Sequence, residues 1–325
     1  MKVAEKYKNL GFWPKMIMNF ALILAVFIII SVLSSAKIIS NYYQGIILSI
    51  CINVILVVSL NITTGFLGQL TLGHAGFMAV GAYSGAFLSK NLMGSLPDPL
   101  IFLLAIIVGG IVAMIFGVIV GVPTLRLKGD YLAIITLAFG EVIKNILLNL
   151  KIVGGASGYI GIPRYTNFLW AYWLAIITVV LSYALINSRH GRAIISIRED
   201  EIASESMGVD TKKYKILAFI FAAFFAGVAG CLYAHYMGIL EPKTFKFDKS
   251  IEILVMVVLG GMGNIKGSII SAIILTVLPQ LLVSVSGYRM LLYALALIIM
   301  MLFKYHPTLV KLTATIKSNL KKVRG

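Results

Sequence analysis

Long apolar runs, continuous rather than alternating, follow one another along most of this chain. A helix needs about 20 apolar residues to cross the hydrocarbon core of a bilayer. Inside that core every backbone N–H and C=O must find a partner within the protein, which leaves only helices or a closed barrel. Barrel strands alternate polar and apolar side chains, and these runs do not. The sequence therefore reads as an all-α polytopic membrane protein. Composition agrees: 60% of the 325 residues are hydrophobic and 12% charged, against about 25% charged in a soluble domain.

About ten spans are expected, at 16–35, 42–60, 65–88, 99–121, 130–150, 168–187, 215–236, 250–262, 267–286 and 289–303. The eighth is too short for a regular helix to cross fully at about 1.5 Å per residue. The apolar run from Met16 to Leu33 exceeds the h-region of a signal peptide and reads as an uncleaved first span. The domain reading is a basic N-terminus at 1–15, a transmembrane domain at 16–303 containing a long loop at 188–214, and a basic tail at 304–325. With a cytoplasmic N-terminus, inside segments hold 19 of the 28 Lys and Arg residues, the bias expected of cytoplasmic loops. Both termini then lie in the cytoplasm. The net charge of +16 follows from this topology and does not call for a nucleic-acid partner; lipid is the evident one. Cys51 and Cys231 fall in apolar segments and suggest neither a disulfide framework nor a metal site.

The third span, GFLGQLTLGHAGFMAVGAYSGAFL, carries six glycines, Gln69 and His74 but no charge. Glycine disfavours a helix by roughly 1 kcal/mol against Ala, so this many in one span needs a reason. A later segment, LGGMGNIKGSIISA at 259–272, is its weak counterpart. Paired Gly-interrupted segments in two halves of a chain point to a transport pathway, and small residues also let helices pack closely. The glycines, with Gly65, Gly73, Gly260 and Gly261 as pathway candidates, would let the span bend. Gln69, Thr71 and His74 would satisfy the backbone that bending frees. Thr64 and Thr136, with Asn53, Asn61 and Thr63, add neutral hydrogen-bonding groups of the kind a zwitterion needs.

The loop from Ser188 has its own pattern. Glu199, Asp200 and Glu201 crowd the start of a short helix, where negative charge suits the helix dipole. Ile202, Ala203 and Met207 fall at spacings that can share one face. Gly208 then stops the helix, and Asp210 or Thr211 caps the next one. Such a helix could lie on lipid, but its acids would be repelled by anionic headgroups. A protein partner in the cytoplasm suits it better.

This loop resembles the EAA-type coupling loop of ABC importer permeases. Counting back from Gly208, the motif positions are Ile202, Ala203 and Ser204, and the acid sits one place earlier, at Glu201. That departure is similar to M-type permeases for branched-chain amino acids (the LivM family). GFLGQLTLGHAGFMAVGAY resembles that family's Gly-rich third span, with Thr71 in place of Ser. The stretches 127–143, 153–163 and 257–272 resemble its middle and late segments, with Val153, Ser157 and Tyr159 departing from the usual pattern. The resemblance covers roughly 61–303. It implies a permease subunit that takes up branched-chain amino acids and is coupled through 199–208 to two ATPase subunits. A second related permease and an extracytoplasmic binding protein complete the set of partners it implies. Permeases for urea or short amides resemble it too.

The chain has no phosphate-binding loop; GNIKGS at 263–268 has its Lys and Gly in the wrong order. No cofactor is expected on this chain, ATP being used by the partner subunits, and neither a catalytic residue nor a metal ligand is assigned. An ion-coupled carrier is the alternative outside the family. It would need buried acids, which are functional candidates by default. Glu141, within reach of Lys144 at i+3, and Glu252, at the start of the eighth span, are the available ones. A membrane-embedded enzyme lacks a nucleophile–base pair.

Overall fold

Apolar helices of membrane-crossing length dominate the computed structural model, which describes residues 40–124 and 129–281 together with 27, 28, 31, 294, 295 and 298. The spans expected at 16–35 and 289–303 lie, apart from those isolated positions, outside the described residues, as do residues 282–286 and both basic tails. The chain divides into two units, 1–48 and 49–325. The first contributes the start of α1, and everything below concerns the second.

The helices are α1 (Asn41–Asn61), α2 (His74–Asn91), α3 (Asp98–Thr124), α4 (Asp130–Asn149), α5 (Phe168–Asn187), α6 (Arg189–Glu199), α7 (Glu201–Ser206), α8 (Thr211–Met237), α9 (Phe247–Gly260) and α10 (Ile265–Leu281). Five stretches among the described residues are long and apolar enough to cross a bilayer: Asn41–Phe66, Asp98–Pro123, Asp130–Asn149, Phe168–Asn187 and Thr211–Met237. The chain is thus an all-α multi-pass membrane protein. Its strands among the described residues are a two-residue antiparallel pair, β1 (Tyr159–Ile160) and β2 (Ile239–Leu240), which joins the connection after α4 to the end of α8.

The expected third span, 65–88, is not one helix. α1 passes into a π-helical turn at Ile62–Phe66, residues 67–73 are irregular, and α2 begins only at His74. Gly68 adopts φ +77°, a left-handed conformation that ends a helix and that other residues rarely take. The freed backbone finds specific partners. Gln69 N–H donates to the Thr63 carbonyl at 3.0 Å, Leu72 N–H to Thr136 Oγ1 at 3.0 Å, and Ala75 N–H, in the first turn of α2, to Ser250 Oγ at 3.1 Å.

The remaining glycines of this stretch serve packing. α2, α3 and α8 form the most closely associated set of helices, and they meet through glycine faces. A Cβ on Gly81 of α2 would overlap the backbone of Gly227 of α8. One on Gly227 would stand 2.7 Å from the Gly109 carbonyl oxygen of α3, and one on Gly109 would stand 2.8 Å from that of Gly81. Lipid offers no hydrophobic drive for helix association, so this close approach is itself the main source of cohesion. Gly227→Val should therefore lower the thermal stability of the detergent-solubilised protein by about 1–3 kcal/mol or more, the usual range for overpacking. Gly121→Ala, where the added Cβ meets Phe219 at an ordinary 3.7 Å, should leave the melting temperature unchanged.

Candidate functional site

The loop between α5 and α8 folds into two short helices rather than the single one expected. Ser188 caps the first by accepting Gly191 N–H at 3.2 Å, and Gly191, Ile194 and Ile197 form its buried face. Glu199 closes this helix and pairs with its neighbour Arg198. The three acids therefore have three separate jobs. Asp200 is the cap between the helices, its Oδ1 accepting Ile202 N–H at 2.9 Å and Ala203 N–H at 3.0 Å. Glu201 opens α7. Gly208, with φ +84°, turns the chain, and Asp210 caps α8 by accepting Lys213 N–H at 3.1 Å.

One ion pair fixes α7 to α8, and a bond back to its own cap braces its first turn. Glu201 Oε1 lies 2.8 Å from Lys215 Nζ, and the Lys215 side chain is only 3% accessible. Ser204 is buried and donates its hydroxyl to the Asp200 carbonyl at 2.8 Å. The opposite face of α7 is left bare: Ile202 is 72% and Met207 84% exposed, and Ala203 is exposed beside them. Ile202, Ala203 and Met207 thus form an exposed apolar strip on a helix anchored by an ion pair whose lysine is buried.

Arg198, at the end of α6, ties this unit to both Gly-rich segments. Its Nη1 donates to the Gly65 carbonyl at 2.9 Å, and its aliphatic stem packs on Gly68. The same Nη1 stands 2.9 Å from where a Cβ on Gly263 would be. Asn61 completes the junction: Gly263 N–H donates to its Oδ1 at 2.9 Å, and its Nδ2 donates to Ser268 Oγ at 2.9 Å. Gly65, Gly260 and Gly261 thus belong to one neighbourhood, since Gly261 caps α9 and Gly260 packs on the backbone of Ser268 in α10.

The other candidates fall into three groups. Thr136, Gly73 and Thr71 lie along the irregular segment: Thr136 Oγ1 receives Leu72 N–H, a Cβ on Gly73 would stand 2.6 Å from the Thr136 carbonyl oxygen, and Thr71 is buried. His74, buried, places Nε2 3.0 Å from Ser59 Oγ, and Asn53 donates to Thr276 Oγ1 at 2.8 Å. Thr64 Oγ1 and Gln69 Oε1 are buried with no hydrogen-bond partner among the described residues. Such orphaned groups are rare enough to need a reason. Glu141 is elsewhere, ion-paired to Lys144 as its spacing predicts, and it also accepts Phe247 N–H at 3.2 Å. With its charge matched, it offers an ion-coupled carrier little.

Arg198, Lys215 and the bridging role of Asn61 were not assigned from sequence. Lys215 carried a usable signal: a lone cation at the start of an apolar helix needs a partner or must reach the interface. Arg198 carried none, because its partners other than Glu199 lie more than 60 residues away in sequence. Near β1, Tyr165 donates its hydroxyl to Asp98 Oδ1 at 3.0 Å. Burial, and then the neighbouring carboxylate, raise that phenol above its ordinary range, so it remains a donor.

Residues 42–303 match the family described as branched-chain amino acid transport system / permease component. The high-affinity branched-chain amino acid transport system permease protein LivM of Escherichia coli is 36% identical over 288 residues, covering 78% of this chain and 66% of that protein. The probable branched-chain amino acid transport permease protein LivM of Methanocaldococcus jannaschii is 31% identical over 195 residues, or 56% of each chain. The permease protein LivH of Salmonella typhimurium is 29% identical over 132 residues, 40% of this chain and 42% of that one. The match thus spans just under two thirds of the first relative's length. No solved structure matches the chain.

Glu201→Gln strands the buried Lys215 ammonium. Loss of one partner of a fully buried ion pair destabilises by about 3–5 kcal/mol; Glu201 is 29% accessible, so the loss should be smaller, but the melting temperature in detergent should still fall. Adding Lys215→Met to Glu201→Gln should restore most of the loss, because no unpaired charge then remains. Equal melting of the single and double variants would contradict the burial of this pair.

Proposed function

We propose a function on this ground: the chain belongs to the family of permease components of branched-chain amino acid transport systems. It is the membrane-spanning subunit of an ABC importer and moves leucine, isoleucine and valine across the cytoplasmic membrane. About ten spans, some interrupted at glycines, carry it, with both termini and the α6–α7 loop in the cytoplasm. The domain at 16–303 is the permease proper, and 1–15 and 304–325 are basic cytoplasmic tails. It binds no cofactor and hydrolyses nothing. Two ATPase subunits use ATP, a second related permease completes the membrane part, and an extracytoplasmic binding protein delivers substrate.

The observation that carries this reading is the build of α7. Its apolar face, Ile202 and Met207, points away from the chain, while Glu201 and Arg198 fasten the unit to α8 and to the Gly-rich junction. A partner that grips α7 would pull on residues 61–68 and 260–268 together. Rigid-body movement of docked elements is an established way to transmit nucleotide-driven closure. The pathway would then run by Thr64, Gln69, Thr71, Gly73, His74 and Thr136, where neutral polar groups and two orphaned oxygens could serve a passing zwitterion. A urea or amide permease shares the coupling design and differs in cargo; uptake of labelled leucine against labelled urea separates them.

The test uses the tagged chain in its native membranes. Ile202→Asp and Met207→Asp should abolish co-purification of an ATPase and lower leucine uptake at least about tenfold, an effect of roughly 1.4 kcal/mol or more on docking. Because both side chains are exposed, the variants should accumulate and melt like the parent. Normal uptake in both would refute the assignment of α7 as the coupling helix.

A further inference from the structure

Away from α7, where α8 ends and α9 begins, an open cavity of about 420 Å³ indents the protein. That lies within the range of about 300–1,000 Å³ typical of small-molecule sites. Met78 of α2 and Phe245 lie at its base and are almost fully buried. Tyr233 and Thr244 add hydroxyls. Lys243, Lys246, Asp248, Lys249 and Glu252 complete the lining.

Most of these charges have a partner. Lys249 Nζ lies 3.0 Å from Glu252 Oε2, and Lys246 acts electrostatically on Glu141. Among the described residues, Lys243 and Asp248 take part in no ion pair. Lys246 is likewise outside any ion pair among them but acts on Glu141, which leaves Lys243 and Asp248 as the cation and anion on this cavity with no ion-pair partner among the described residues, above Met78 and Phe245. The cavity also touches α2 and α9, which are joined by the Ala75–Ser250 hydrogen bond. It stands at the seam between the elements that carry the two Gly-rich segments.

We propose that this cavity is a receiving site for a zwitterionic α-amino acid with an apolar side chain. Lys243 takes the carboxylate, Asp248 takes the ammonium, and the side chain is directed to Met78 and Phe245. The inference rests on the permease reading above and adds to it a place where substrate first engages this chain. A site for a simple anion would not need Asp248, and a site for a simple cation would not need Lys243. A neutral amide would use neither charge fully.

The test places one reporter thiol at the cavity. Thr244→Cys is made in a Cys51→Ala, Cys231→Ala background, both native thiols being buried, and studied in the assembled complex in membrane vesicles. The probe is the anionic reagent sulfonatoethyl methanethiosulfonate. If Thr244→Cys does not assemble, Lys249→Cys carries the label instead. Saturating leucine should slow modification at least about fivefold, whereas isovalerate, isopentylamine and urea should not. Lys243→Met and Asp248→Asn should each raise the leucine concentration for half-protection about tenfold, the size of one lost charge-assisted contact, while Asp248→Glu should retain protection. Modification indifferent to leucine, or slowed equally by isovalerate, would overturn the proposal. ATP-dependent leucine uptake in the same vesicles separates the two readings. Uptake without protection removes the site alone, and protection without ATP-dependent uptake removes the importer reading and leaves the site.

Discussion

The irregular backbone between α1 and α2 is the constraint around which the rest is arranged. In a membrane protein, non-helical backbone is tolerated only where protein or a water-filled cavity surrounds it. Residues 62–73 and the first turn of α2 meet that condition through groups drawn from far along the sequence. Thr136 of α4 accepts Leu72 N–H, Ser250 of α9 accepts Ala75 N–H, and Arg198 of α6 donates to the Gly65 carbonyl. Three single hydrogen bonds thus tie α4, α6 and α9 to this stretch. The glycine faces of α2, α3 and α8 then act as the rigid frame against which the break is held.

Arg198 is well suited to its place. A guanidinium presents several donors in a fixed plane, so one side chain can hold the Gly65 carbonyl and keep its ion pair with Glu199. A Lys there would offer one point of charge on a flexible stem. The close approach of Gly263 explains why the turn between α9 and α10 is glycine-rich at this point, since a side chain would strike the Arg198 head. The α6–α7 loop and both Gly-rich segments therefore share a single small contact region.

Sequence reading reached the local features and missed the distant ones. Gly208 as a left-handed stop, Asp210 as a cap and the Glu141–Lys144 pair depend on neighbours within four residues, and the structure has all three. The membrane class was legible because hydropathy acts on whole segments. The division of 188–208 into α6 and α7 was obscured because the acids at 199–201 resemble one helix start. In fact Glu199 ends a helix, Asp200 caps the next, and Glu201 reaches across to Lys215. The start of α2 at His74 was hidden for a similar reason: apolarity continues through 65–88 while helicity does not. Partnerships such as Asn61 with Gly263 and Ser268 join residues some 200 positions apart, and no pattern within a window can find them.

The two Gly-rich segments are alike in composition and unlike in use, which bears on how a pathway could open. In the first, the break is long and its backbone is held by side chains from α4, α6 and α9. In the second, α9 and α10 meet at a short turn, and Gly260 packs directly on Ser268. One segment is thus suspended from its surroundings and the other is a short, closely packed hairpin. Asn61 links them with one acceptor and one donor, to Gly263 and Ser268 respectively. Arg198 is hydrogen-bonded to the suspended segment at Gly65 and only stands close to the hairpin at Gly263. The orphaned oxygens of Thr64 and Gln69 lie on the suspended side, where a change of backbone would alter what they face.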